Sequence, residues 1–260
     1  MELTFYKYQG TGNDFVIIDN RNNEITLTTE QVHKLCDRRF GIGADGLMLL
    51  STKEGYDFEM VYYNSDGRES SMCGNGGRCL VKFASHMGIN KSTYHFIATD
   101  GPHDAVIKDN QWVHLKMKDV NGMQHSFSSY VLNTGSPHYV KPVGGNDLEE
   151  MDVREEGKSI RYSDRFAKEG INVNFVEELP KGIFVRTYER GVEDETLSCG
   201  TGVTASALVF AHNDNGFNRV EVKTLGGHLA VEFTKTGEEK FEDIWLCGPA
   251  EFVFKGTIHI

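Results

Sequence analysis

The 260 residues suffice for one large domain or two ordinary ones, and 39% hydrophobic with 25% charged residues is an ordinary globular balance. A formal net charge of −11 argues against nucleic acid and anionic membrane surfaces as partners, because both demand clustered Lys and Arg. The longest uncharged apolar run, 201–211, is too short to cross a bilayer, and the first residues lack a signal peptide's apolar core, so a cytoplasmic enzyme is expected.

Strands are expected at 3–9 and 15–19, split by Gly10-Thr11-Gly12-Asn13-Asp14, which on spacing alone reads as a hairpin turn. Hydroxyl caps at Thr28 and Thr29 start a helix running to about Arg39. Gly41-Ile42-Gly43-Ala44-Asp45-Gly46 matches GxGxxG, but a helix precedes it and a strand at 47–50 follows. That is the reverse of what a dinucleotide site requires. A strand at 57–63 ends in the turn Asn64-Ser65-Asp66-Gly67. Further strands at 94–99, 104–108 and 112–117 are separated by turns at 100–102 and 109–110. A change of unit falls near 118–122. The second half then repeats the plan, with a strand at 139–143, a polar helix at about 158–169, and strands at 172–177 and 183–188. Strands at 219–224, 228–233, 244–246 and 251–254 close the chain.

Two stretches organise the chain: Cys73-Gly74-Asn75-Gly76-Gly77-Arg78-Cys79 and Cys199-Gly200-Thr201-Gly202-Val203. Both read Cys-Gly-x-Gly, and each opens a helical run ending near a glycine, Gly88 and Gly216. The 201–211 helix carries no charge and is expected to be buried all round; the Cys73 helix is nearly as apolar, with Lys82 the exception before His86. Each half thus reads as short strands wrapped about one buried helix. The expected fold class is α+β, two similar domains related by a pseudo-twofold, each a barrel-like, mostly antiparallel sheet around its helix. The expected boundaries are 1–117 and 118–250, with the last strand, about 251–260, allowed to return to the first domain.

A helix N-terminus carries partial positive charge and unpaired N–H donors, which favour a thiolate and bind carboxylates. Five cysteines with no CxxC pair form neither a disulfide scaffold nor a structural zinc site. Cys36 and Cys247, and more weakly Cys79, read as core packing. Cys73 and Cys199 read as a pair of sulfur acid/bases: a thiolate takes a proton from one face of an amino acid's α-carbon and a thiol returns one to the other. No metal or reactive-lysine motif is apparent.

At these residues the chain resembles the diaminopimelate epimerase family over nearly its whole length. The motifs are those above together with Gly135-Ser136-Pro137-His138, Asn172-Val173-Asn174 and Tyr188-Glu189-Arg190-Gly191. The resemblance implies a cofactor-independent epimerase, commonly a homodimer, converting LL- to meso-diaminopimelate for lysine and peptidoglycan synthesis. It implies Cys73 and Cys199 as the catalytic pair, with His138 and Glu189 assisting. Asn13, Asn64, Ser136, Asn172, Glu189 and Arg190 match substrate-contact positions, as do the backbones of Gly74, Asn75, Gly200 and Thr201. Two departures stand out. Many members carry Asn where this chain has Ser136, and Gln where it has Gly46. The alternatives are a proline or hydroxyproline racemase of the same fold, a cysteine hydrolase using one thiol with His138, or a non-catalytic binding module.

Overall fold

The computed structural model describes residues 2–145 and 147–260. The chain divides into two compact units, residues 1–115 with 248–260, and residues 116–247.

In the first unit the elements are β1 (Glu2–Gly10), β2 (Asn13–Asn20), α1 (Thr29–Cys36), β3 (Gly46–Ser51), β4 (Phe58–Asn64), β5 (Glu69–Ser70), α2 (Gly74–His86), β6 (Tyr94–Ala98), β7 (Gly101–Ile107) and β8 (Val113–Lys116). The C-terminal strand Glu251–His259 pairs antiparallel with β1, and β1 with β2. The hairpin between β1 and β2 has two loop residues, Thr11 and Gly12, both at positive φ, as a tight turn matched to strand twist requires. Two steps in the sheet are parallel: β2 to β3 across α1, and β4 to β6 across α2. The other pairings in the unit are antiparallel.

Side-chain alternation explains the layering. Val16, Ile18, Leu47 and Leu49 join Val32 and Leu35 of α1 in one apolar cluster. The intervening Phe15 and Met48 lie against Gly76 of α2 on the other face. A helix on each face is why β3 is buried along its whole length.

The second unit contains β9 (Val120–Asn121), β10 (Gln124–Ser126), β11 (Ser129–Asn133), β12 (Pro137–Val143), α3 (Val153–Arg161), β13 (Asn172–Glu178), β14 (Ile183–Glu189), β15 (Asp194–Thr196), α4 (Gly200–Val209), β16 (Gly216–Thr224), β17 (Gly227–Gly237) and β18 (Lys240–Gly248). Its order repeats that of the first unit. β12 runs parallel to β13 across α3, and β14 parallel to β16 across α4. Val173 and Phe175 pack with Val153 and Ile160 of α3, so Asn172 and Asn174 point to the face that carries α4. Each unit is therefore a barrel-like α+β layer structure around a central buried helix, as the sequence leads one to expect.

Several local expectations are corrected. The polar helix lies at Val153–Arg161, not 158–169. Asp152 caps it by accepting from Glu155 N–H, and the Ser163 hydroxyl and N–H both bond back to Ile160 O and end it. The first helix stops at Cys36, three residues short of Arg39, because the Asp37 carboxylate accepts from the N–H groups of Arg39 and Phe40 in a competing turn. Gly216 opens β16 and caps nothing, whereas Gly88, at positive φ, follows the C-cap residue Met87 of α2. Pro102 lies within β7, opposite Ile97.

Candidate active site

Both Cys-Gly-x-Gly stretches fold as their glycines suggest. Cys73 is the N-cap of α2 and Cys199 the N-cap of α4, each with extended backbone. Neither cysteine side chain caps its helix, and neither helix has an acidic residue in its first turn. The positive helix end is therefore left for an outside anion. Helix α4 is buried from Gly202 to Leu208, while Thr201 at its start stays partly accessible.

In the first unit, the Cys73 thiol donates to Asn13 Oδ1 at 3.7 Å, and Asn75 Nδ2 donates to the same oxygen at 3.4 Å. The Asn13 amide cannot be turned round, because its Nδ2 donates at 2.6 Å to the Asp45 carboxylate, which only accepts. Asp45 is the aspartate of the GxGxxG stretch. Instead of cradling a nucleotide, that loop holds the asparagine that meets the thiol. The hairpin reading of residues 10–14 holds, and the tight turn places Asn13 beside the thiol.

Arg38 bridges Asp45 and Asp14, and Lys7 pairs with Asp14 at 2.7 Å and also reaches Gly43 O. Burial pushes the Asp14 carboxyl upward, but hydrogen bonds from Arg38 and Lys7 outweigh it and bring it down to about 2. A carboxylate whose folded pKa is depressed contributes stability above its unfolded value, roughly 3.9, and that contribution fades as pH falls towards 2. We expect urea midpoints measured between pH 4 and pH 2 to fall more steeply for the parent chain than for Asp14→Asn. Parallel slopes would show that Asp14 is not the linked group.

Asn64 ends β4 opposite Gly46, exposed at the rim of the same sheet; its N–H bonds to Arg68 O. Gly46 itself leaves no room for a longer residue. A Cβ there would lie 2.5 Å from Cε2 of Tyr62 and 2.7 Å from Tyr63 O. Gly46→Gln should cost about 1–3 kcal/mol through overpacking. Urea unfolding checks this, and a variant as stable as the parent would mean that the Tyr62 ring swings away freely.

In the second unit, the Glu189 carboxyl bonds to the Cys199 thiol and accepts from Thr196 Oγ1 at 3.0 Å. Burial pushes Glu189 above the usual carboxylate range, and those two hydrogen bonds oppose the rise. A carboxyl so placed is a better proton acceptor for a thiol than an exposed glutamate. Thr201 Oγ1 lies 3.6 Å from Cys199 Sγ and 2.9 Å from His138 Nε2. His138 is fully buried; burial and then the Arg190 charge drive its pKa down to about 3, so the ring is neutral. Asn172 Nδ2 donates to Ser136 Oγ at 2.7 Å, while its Oδ1 accepts from Arg190 N–H at 2.8 Å. The Ser136 hydroxyl thus orients Asn172. Arg190 is exposed, and its guanidinium donates to Glu169 O.

The remaining cysteines belong to the core. Cys36, Cys79 and Cys247 are buried, and burial pushes the first two thiols up to about 12. Sequence reasoning missed Asp45, Arg78, Asn174, Thr187 and Thr196. Only Asn174 carried a signal: two residues after Asn172 on one strand, it must share that residue's face.

The family model for "Diaminopimelate epimerase" matches residues 5–121 and 130–253. The diaminopimelate epimerase of Flavobacterium psychrophilum is 51% identical over 259 residues, covering 98% of this chain and all of that one. The enzyme of that name from Chlorobaculum tepidum is 44% identical, covering 96% and 98%. The chain belongs to the diaminopimelate epimerase family. Among solved structures, a Bacillus anthracis protein of the phenazine-biosynthesis PhzF family matches with a TM-score of 0.78 at 16% identity, covering both chains fully. A hydroxyproline epimerase from Agrobacterium vitis matches with a TM-score of 0.67 at 12% identity, covering 99% and 92%. These two carry different names on one architecture, so they speak for the fold alone and the side chains must decide the chemistry. As a member of the epimerase family, the chain is an isomerase.

Proposed function

We propose that the enzyme interconverts LL- and meso-diaminopimelate without a cofactor, each unit supplying one sulfur acid/base. The observation that carries this reading is the repeated one: in each unit a cysteine occupies the N-cap position of a buried, glycine-led helix whose first turn holds no acidic residue. One thiolate removes the α-proton on one face and the other thiol protonates the opposite face, and the roles exchange for the reverse reaction. The first-turn N–H groups at Gly74, Asn75, Gly200 and Thr201 receive the substrate carboxylate and the charge that builds on it. Glu189 accepts the Cys199 proton, and Asn13 holds the Cys73 thiol in place. Asn64, Asn172 and Arg190 contact the substrate's second amino-acid end, with Ser136 holding Asn172, and His138 acts within the Cys199 network. Product meso-diaminopimelate serves lysine and peptidoglycan synthesis. A cytoplasmic homodimer completes the reading, to be tested by sedimentation and cell fractionation.

The test is LL-diaminopimelate incubated with purified protein and a chelator, followed by chiral chromatography. The meso isomer is the expected product, with no inversion of proline or hydroxyproline and no turnover of an activated ester. Inversion of proline alone would move the enzyme to the racemase reading, and ester acylation without inversion would move it to the hydrolase reading.

A further inference from the structure

Asn174 has no assigned part in the reaction, yet its surroundings decide which way a chain of hydrogen bonds runs. It is completely buried on β13. Its Nδ2 donates to Tyr139 O at 3.0 Å and faces His138 Nδ1 at 3.1 Å, while its Oδ1 accepts from Thr187 Oγ1 at 3.0 Å. A backbone carbonyl can only accept, so the group facing Tyr139 O must be the NH2. The second amide proton then points at His138 Nδ1, which must present a lone pair. The proton of the neutral ring therefore sits on Nε2 and is donated to Thr201 Oγ1. Having accepted from His138, the Thr201 hydroxyl keeps its own proton for Cys199 Sγ, 3.6 Å away.

The neighbouring glycine supports the arrangement independently. A Cβ at Gly202 would fall 2.3 Å from Asn174 Oδ1 and 3.4 Å from His138 Cε1, so the helix can seat beside Asn174 only because residue 202 has no side chain. The second Cys-Gly-x-Gly glycine thus serves this contact as well as the thiol.

We propose that Asn174 is a positioning residue that sets hydrogen-bond polarity at Cys199: by holding His138 as the Nε2–H tautomer, it makes the Thr201 hydroxyl a donor to the Cys199 thiolate. Among the described residues, the titratable groups that bear on this sulfur are Glu189 from β14, which takes the thiol proton, and the neutral His138 from β12, which Arg190 in turn influences. With Asn174 removed, the ring is free to take the other tautomer. Thr201 then donates to the ring and turns its lone pairs toward the sulfur, disfavouring the thiolate. The inference rests on Cys199 being one of the two acid/bases, but its readouts do not need turnover.

The experiment follows iodoacetamide alkylation against pH in a Cys73→Ala background, read at Cys199 itself by peptide mass spectrometry; Cys199 keeps 8% of its surface exposed, against 3% for Cys36 and none for Cys79 and Cys247. Losing a donor to a thiolate should raise the Cys199 pKa by about one to two units in Asn174→Ala. Thr201→Val should show the same rise, Thr201→Ser should restore the parent curve, and the double variant Asn174→Ala with Thr201→Val should rise no further than either single change. An unshifted Asn174→Ala curve, or fully additive shifts, overturns the proposal. If Asn174→Ala does not fold, 15N-detected imidazole signals of the unaltered protein decide the matter. An Nε2–H pattern for His138 supports it, and an Nδ1–H or doubly protonated ring overturns it. Should the thiol readouts hold while Cys199→Ala retains full inversion, the positioning stands and the catalytic reading of Cys199 fails.

Discussion

Product formed in D2O from a single isomer should carry deuterium at the inverted α-carbon from the first turnover, while recovered starting isomer stays largely protiated. With two bases, the proton lifted from the substrate rests on the near-face sulfur, and the far-face thiol has already exchanged with solvent. Internal return gives the starting isomer its own hydrogen back. A single base serving both faces would carry substrate hydrogen into product. In the same assay Cys73→Ala and Cys199→Ala should each lower inversion by roughly a thousandfold or more, because one face then lacks its acid or base. The two units differ in what surrounds each sulfur: a carboxyl with a hydroxyl at Cys199, an amide oxygen at Cys73. Early product retaining the original hydrogen would sink the two-thiol mechanism even with epimerase activity intact.

Removal of Arg78 should cost the fold about 3–5 kcal/mol, the sum of a core truncation and several orphaned acceptors. Its side chain is fully buried in α2 and donates to Gly74 O, Asn75 Oδ1, Thr11 Oγ1 and Pro249 O. One guanidinium thereby ties the helix start to the β1–β2 turn and to the segment leading into the C-terminal strand. By occupying Asn75 Oδ1 it also leaves Asn75 Nδ2 to meet Asn13 Oδ1 beside Cys73. Urea unfolding of Arg78→Ala measures the loss, and Arg78→Lys should recover only part of it, since an ammonium cannot reproduce the fork. A loss under 1 kcal/mol would show that the four acceptors find other partners once the arginine is gone. Because Asn75 is freed, kcat/KM should fall in any Arg78→Ala protein that still folds.

Arg78 also illustrates where reading the sequence stops. The helix that holds it was legible, because Gly74, Gly76 and Gly77 followed by Cys79, Leu80 and Val81 settle capping and burial within two turns. The same local logic marked Cys199 and the chargeless run after it, which α4 bears out as a helix buried from Gly202 to Leu208, though it ends at Val209 rather than at 211. Each cysteine's position at a helix start depends on neighbours within four residues, and so it was determined by the sequence alone. The short strands β10 and β15 escaped notice because they are polar or half-exposed, without the alternation that identifies a strand. The helix at 153–161 was misplaced because its start rests on one capping aspartate rather than on a periodic pattern.

The polar partners of the two sulfurs belong to a different level. Asn13 meets Asp45, 32 residues away, because β2 and β3 lie side by side in parallel. Asn174 meets His138 because β12 and β13 do the same, and Thr187 because β13 and β14 pair in antiparallel register. A one-residue slip in any of these ladders would turn the asparagine to the opposite face of its sheet. Local chemistry therefore told where the thiols sit, and only the strand register, a property of the assembled sheet, decided which groups hold and tune them.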